Sequence, residues 1–145
     1  MGQAEFFAML GAPLNNPRWS WGAVRDSDRT VFLKAWTDEI KVHAGREIAR
    51  VTFHSRWRDR SYQHGYRERL EHLDRIMQGA KCYLIMCEPV DKHAPSRRIK
   101  RFDSLHVRPC GQIISVADGQ DTDEWIEIFR EIAVEVVRGY THRKQ

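Results

Sequence analysis

Between residues 15 and 26 the chain reads Asn-Asn-Pro-Arg-Trp-Ser-Trp-Gly-Ala-Val-Arg-Asp, which sets two indoles, Trp19 and Trp21, between Arg18 and Arg25. An indole offers a flat face for stacking, and a guanidinium offers a planar fork for phosphate oxygens. Trp36, Trp57 and Tyr62 add further rings in the first half of the chain, and Arg56, Arg58 and Arg60 surround Trp57. The natural guest of such a set is a base extruded from a nucleic acid, because stacking is sequence-tolerant and contributes ~1–3 kcal/mol per base. Neighbouring arginines would hold the flanking phosphates. The expected binding residues are therefore Trp19, Trp21, Trp57 and Tyr62 around the base, with Arg18, Arg25, Arg56, Arg58, Arg60, Arg97 and Arg98 on the backbone. Burial in a core is the competing reading, since indoles are well buried on average. Trp57 discriminates between the two, because it sits in an arginine-rich segment without apolar companions.

Charge supports an anionic partner. Residues 1–45 carry five basic and five acidic side chains, residues 46–108 carry fifteen against eight, and residues 109–145 carry four against seven. The formal net charge of +4 is a mild bias, but its concentration in an arginine-heavy middle makes a phosphate backbone the expected partner. Some of that excess is expected to pair with Glu68, Glu71 and Asp74 along a helix face.

Other chemistries fare less well. Asp38, Glu39 and Lys41 have the Glu-x-Lys spacing of Mg2+-dependent nucleases, in which carboxylates hold the metal and a lysine faces the scissile phosphate. This catalytic alternative places the triplet after the second strand rather than in the third, and a solvated turn is the simpler expectation. Magnesium enters only under it; the binding reading needs no cofactor. Cys82, Cys87 and Cys110 form no CxxC pair, and the seven histidines form neither HExxH nor HxH, so disulfides and zinc are not expected. No glycine-rich phosphate loop or GxSxG elbow is present. Without a leader-like or membrane-spanning stretch, the expectation is a cytoplasmic chain with no membrane partner.

These side chains need a frame. At 145 residues, with 41% hydrophobic and 10% aromatic residues, the chain suits a single nucleic-acid-binding domain over 1–145. Phe6, Phe7, Met9 and Leu10 before Gly11 predict a short opening helix. Alternation predicts a strand carrying Trp19 and Trp21 on one face, joined as a hairpin to a second strand over Val31–Trp36, and a third over Ile48–Phe53. Residues 54–65 read as a surface loop, and Tyr66, Leu70, Leu73, Ile76 and Met77 as a helix closed by Gly79. Lys81–Cys87 predicts a strand covered on both faces. Short strands are expected at 97–102, 105–108 and 112–116. Asp121 and Glu124 stand at capping-box spacing before Trp125, Ile128, Phe129, Ile132 and Val136, which predicts a closing amphipathic helix. The fold class is α+β: a mixed, strongly curved β-sheet or partly open barrel flanked by two or three helices.

With Trp19, Trp21, Gly22, Arg25 and Trp57 in view, the chain resembles the PUA-like readers of modified bases, the EVE, YTH and SRA domains. The resemblance rests on architecture and on those residues. It implies a PUA-like barrel and an aromatic pocket for a flipped or modified base, DNA being the expected nucleic acid. Asn15 to Trp36, followed by Gly65-Tyr66-Arg67-Glu68-Arg69-Leu70, is also similar to segments of bacterial proteins that carry an HNH-type nuclease. No HNH motif occurs here, so that activity is not carried over. A protein-interaction or inhibitory module, with tryptophan and arginine as interface anchors, is the third reading.

Overall fold

The computed structural model describes residues 1–58, 62–94 and 97–138. Helix α1 (Gln3–Met9) starts where the Glu5 carboxylate accepts the Gly2 amide at 2.9 Å, and it stops before Gly11, whose φ of 78° suits a residue without Cβ. Strands β1 (Gly22–Val24) and β2 (Val31–Trp36) form the expected antiparallel hairpin. Strands β3 (Ile40–His43) and β4 (Arg46–Arg50) form a second hairpin. Its two turn residues, Ala44 and Gly45, have φ of 52° and 77°, the left-handed pair that a tight hairpin of this twist requires. Helix α2 (His54–Trp57) and the longer α3 (Gln63–Met77) follow, and α3 ends before Gly79 at φ 110°.

Strand β5 (Cys82–Pro89) lies parallel to β2 over six residue pairs, from Val31 with Cys82 to Trp36 with Cys87. Strand β6 (Ile99–Phe102) and the long β7 (His106–Asp118) run antiparallel to β5. Strand β8 (Asp121–Ile128) pairs with both β7 and β4, and the short β9 (Ile132–Ala133) returns to β7. Among the described residues the result is a mixed, open sheet of nine strands, in main-path order β1-β2-β5-β7-β8-β4-β3, with three α-helices.

Alternation along β2 and β5 explains the core. Val31, Leu33, Ala35, Cys82 and Leu84 face α3 and the β4/β8 side, whereas Phe32, Ile85 and Cys87 face α1 and the C-terminal turn Val134–Val136. Both faces of β5 are covered, as its apolar run predicts. Phe6, Phe7, Phe32 and Leu33 are completely buried, each worth ~1.5–3 kcal/mol relative to exposure.

The structure corrects three expectations. Residues 121–136 are not a helix. Thr122, Trp125, Ile126 and Ile128 are β-branched or aromatic, and β8 finds ladder partners on both sides, so cross-strand pairing overrides a 3.6-residue periodicity. The separate strands expected at 105–108 and 112–116 are one strand, bent by a register shift between Cys110 and Ile113. Residues 54–65 are not simply loop: His54–Trp57 is helical and α3 already begins at Gln63, while 59–61 lie outside the described residues.

Candidate nucleic-acid interface

Trp19 and Trp21 do not share a strand face, because β1 begins only at Gly22. Pro17–Trp19 form a turn instead, held by Ser20 N to Asn16 O (3.0 Å), Arg18 N to Asn16 Oδ1 (2.8 Å) and Asn16 N to Ser20 Oγ (3.0 Å). The two indoles therefore diverge. Trp19 stacks on His64, with ring centroids 5.2 Å apart and planes 30° apart. Trp21 turns to Trp57 at 4.5 Å and Tyr62 at 6.1 Å.

Trp21 is firmly placed. Its carbonyl accepts the Lys34 amide (2.8 Å) and the Arg69 guanidinium (3.0 Å), and its ring lies so close to Gly65 on α3 that a Cβ there would enter the indole. Arg69 is 3% exposed and also donates to Val51 O (2.9 Å) and Lys34 O (2.8 Å), tying α3 to the middle of β2 and to the residues that precede β1 and follow β4. Burial lowers its pKa, but a guanidinium with three carbonyl acceptors stays charged at neutral pH.

Trp21 and Trp57 form one wall of a cavity of about 340 Å3. Tyr62 adds to that wall, while Lys34, Ala35 and Trp36 of β2, with Cys87 of β5, contribute the strand side. Among the described residues seven cations line the cavity (Arg18, Lys34, Arg50, Arg56, Arg69, Arg97 and Arg98) against a single carboxylate, that of Glu39. That ratio selects an anionic guest over a cationic one. At this volume, the low end of small-molecule sites (~300–1,000 Å3), one nucleoside-sized group fits better than a large ligand.

The cations divide by partner. Arg50 lies between the Phe53 and Trp125 rings and donates to Asp123 at 2.6 Å, with Glu39 at 3.6 Å. Arg97 holds both Asp38 oxygens at 2.7 Å and packs 5.2 Å from the Trp36 ring; their mutual hydrogen bonds lower the Asp38 pKa and raise that of Arg97. Arg18, Arg56 and Arg98 have no carboxylate partner among the described residues, and Arg56 rests 4.5 Å from the Phe53 ring.

Of the expected residues, Arg18, Trp21, Arg56, Trp57, Tyr62, Arg97 and Arg98 thus converge on one cavity, and Trp19 stands beside it. Arg25 does not belong with them. It is 7% exposed, donates to Leu10 O (3.0 Å), to Val137 O (2.6 Å) and to both Asp28 oxygens, and so clamps the two chain ends to the β1–β2 turn. Arg58 points away toward Asp121 at 3.9 Å, and Arg60 lies outside the described residues. The Asp38-Glu39-Lys41 triplet is split: Asp38 is engaged by Arg97, Glu39 lines the cavity, and the Lys41 ammonium sits 4.4 Å over Trp125. Burial raises the Glu39 pKa, partly offset by Arg97 and Arg50. Cys87 is a poor nucleophile, because burial pushes its thiol up to about 11.

Sequence reasoning missed Gln3, Lys34, Arg50 and Arg69 as lining residues, named Glu39 only under the nuclease alternative, and counted Trp36 among the rings without assigning it to the site. The signal for Lys34 was a lone lysine inside the apolar run Val31–Trp36. Gln3 had none, because nothing local shows where α1 ends up against the sheet. Comparison with known protein families, curated proteins and solved structures found no match to this chain.

Proposed function

We propose that this chain is a nucleic-acid-binding domain, with DNA the favoured partner, that takes one extruded base into the aromatic cavity as the PUA-like readers it resembles do. The observation that carries this reading is the Trp21–Trp57 pair on the wall of a cavity lined by seven cations and one carboxylate. Trp21, Trp57 and Trp36 supply stacking surface, and Arg18, Arg56 and Arg98, which ion-pair with no carboxylate among the described residues, supply phosphate contacts. A modified base fits the same scheme, since a weakened pair is the easiest to open.

The test is binding of fluorescent single-stranded and duplex DNA, plain and base-modified, across a salt series. Three phosphate contacts give a slope of log K on log salt of about −2 to −3, a loss of roughly twenty- to forty-fold between about 50 and 200 mM. Trp57→Ala lowers affinity about tenfold or more at fixed salt, and Arg56→Ala flattens the slope by nearly one. No binding at low salt, or affinity unchanged in both variants, sinks the proposal. Mg2+-dependent cleavage that disappears in Glu39→Ala would replace it with the nuclease reading.

A further inference from the structure

Alternation along β5 sends its two cysteines to opposite sides. Cys82 packs with Val31, Leu33 and Leu84 on the α3 side, whereas Cys87 packs with Phe32 and Ile85 on the α1 side. Cys110 of β7 packs against the first group. The antiparallel register sets Tyr83 against Pro109 and Leu84 against Arg108, so continuing it by one residue places Cys82 directly opposite Cys110. Opposed residues of an antiparallel pair share a face and have Cα atoms ~4.5–5.5 Å apart, inside the ~4.4–6.8 Å that a disulfide spans. The two thiols are in hydrogen-bonding contact, and both are free. Cys82 is buried, while Cys110 keeps part of its surface exposed.

The place of this pair in the sheet gives it a consequence. Strands β5 and β7 join the two parts of the main path, β1-β2-β5 and β7-β8-β4-β3. Among the described residues they do so over two residue pairs, against six between β2 and β5 and seven between β7 and β8. Pro109 has no N–H to give that ladder. Both parts line the cavity, Lys34, Trp36 and Cys87 from one and Arg50 from the other.

We infer that Cys82 and Cys110 are a modification site, forming a reversible cross-strand disulfide that staples the narrowest seam of the sheet. The oxidant class is a peroxide. Cys110 gives up its proton and its sulfur attacks one oxygen of hydrogen peroxide, which leaves a sulfenic acid and one water. The Cys82 sulfur then attacks the Cys110 sulfur, the S–O bond breaks, and the departing hydroxide takes the Cys82 proton as a second water. Two electrons pass from the sulfur pair to the peroxide, and an external dithiol reverses the bond by exchange. Burial and the neighbouring Cys82 thiol raise the Cys110 pKa, so the first step is slow at neutral pH and the pair answers to sustained oxidant.

The experiment treats the full chain with hydrogen peroxide, blocks the remaining thiols with iodoacetamide in denaturant, and maps the digest by mass spectrometry. The expected product is a peptide pair joined through Cys82 and Cys110, with Cys87 alkylated. Closing that loop raises the melting temperature by about 5–15 °C, and dithiothreitol returns it to its starting value. Cys82→Ala and Cys110→Ser each abolish the link and the shift; the mapping is made on wild type, so a variant that fails to fold leaves it decisive. Cys110 carried to sulfinic acid beside a free Cys82, a link to Cys87 or to a second chain, no link at all, or a Cys82–Cys110 link without the rise in melting temperature overturns the inference. None of these outcomes bears on the nucleic-acid reading, which has its own test.

Discussion

Arg25 and Arg56 carry the same side chain and stand in opposite situations, and the difference lies in their partners. Arg25 satisfies two carbonyls and a carboxylate inside the fold, whereas Arg56 faces the cavity with no carboxylate in ion-pair range among the described residues, Glu39 acting on it only at longer range. Arg25→Met therefore lowers stability by about 2–4 kcal/mol in urea unfolding, because it orphans the Leu10 and Val137 carbonyls, yet leaves the salt slope of DNA binding unchanged. Arg56→Ala does the reverse. His72 supplies a pH signature at the same scale. It is 4% exposed, and burial, helped by Arg69 and Arg75, lowers its pKa to about 4. Being held neutral in the fold, it binds a proton more readily when unfolded, so stability is full above about 6.5 and is lost as pH falls toward about 4. The loss reaches ~3 kcal/mol at most. Urea midpoints measured across that window fall in wild type and flatten in His72→Leu. Asp28, lowered to about 2 chiefly by its hydrogen bond to Arg25, acts only below that window, where its stabilisation is lost as it is protonated.

At the level of elements, the junction of α3 with the segment before β1 decides whether the cavity exists. Gly65 gives the Trp21 indole its seat. Gly65→Ala would gain up to ~1 kcal/mol of helix propensity but force the ring aside, a steric penalty of ~1–3 kcal/mol. The expected outcome is a net lower melting temperature and tryptophan emission that no longer responds to oligonucleotide. The elements were legible where one local signal dominated. Phe6, Phe7 and Gly11 announced α1, the run Val31–Trp36 announced β2, and the apolar run 81–87 announced β5. Trp125, Ile128, Phe129 and Ile132 misled because four large apolar residues fit a helical period, and only β7 and β4 lying alongside make them strand. Trp19 and Trp21 misled for the opposite reason: their spacing fits a strand, but Asn16 and Pro17 build a turn there. The aromatic and much of the arginine content of the site was readable, and Glu39 was visible as part of a Glu-x-Lys triplet; Lys34 and Gln3 entered it only through long-range packing.

Across the whole molecule, the cavity gathers side chains from Gln3 to Ile99, so no fragment of the chain carries it. Its strand side needs β2 and β5 in parallel register, with a hairpin and two helices closed between them. Sites built from such distant pairings form late, because the loop entropy must be met before the contacts are made. The wall bearing Trp57 has a further tie. The amides of Val51 and Thr52 donate to Glu124 O at 3.0 and 3.2 Å, and the His54 amide donates to Asp123 Oδ1 at 2.7 Å. His54 Nε2 lies 2.7 Å from Glu124 and its Nδ1 lies 2.6 Å from the Tyr66 hydroxyl. The entry to α2 is thus stapled to β8, a strand that contributes nothing to the cavity lining. Opening that wall must free those three amides together, so they serve as built-in reporters of occupancy. Deuterium uptake at Val51, Thr52 and His54 should slow when oligonucleotide binds and quicken in Asp123→Asn, even though none of the three residues lines the cavity.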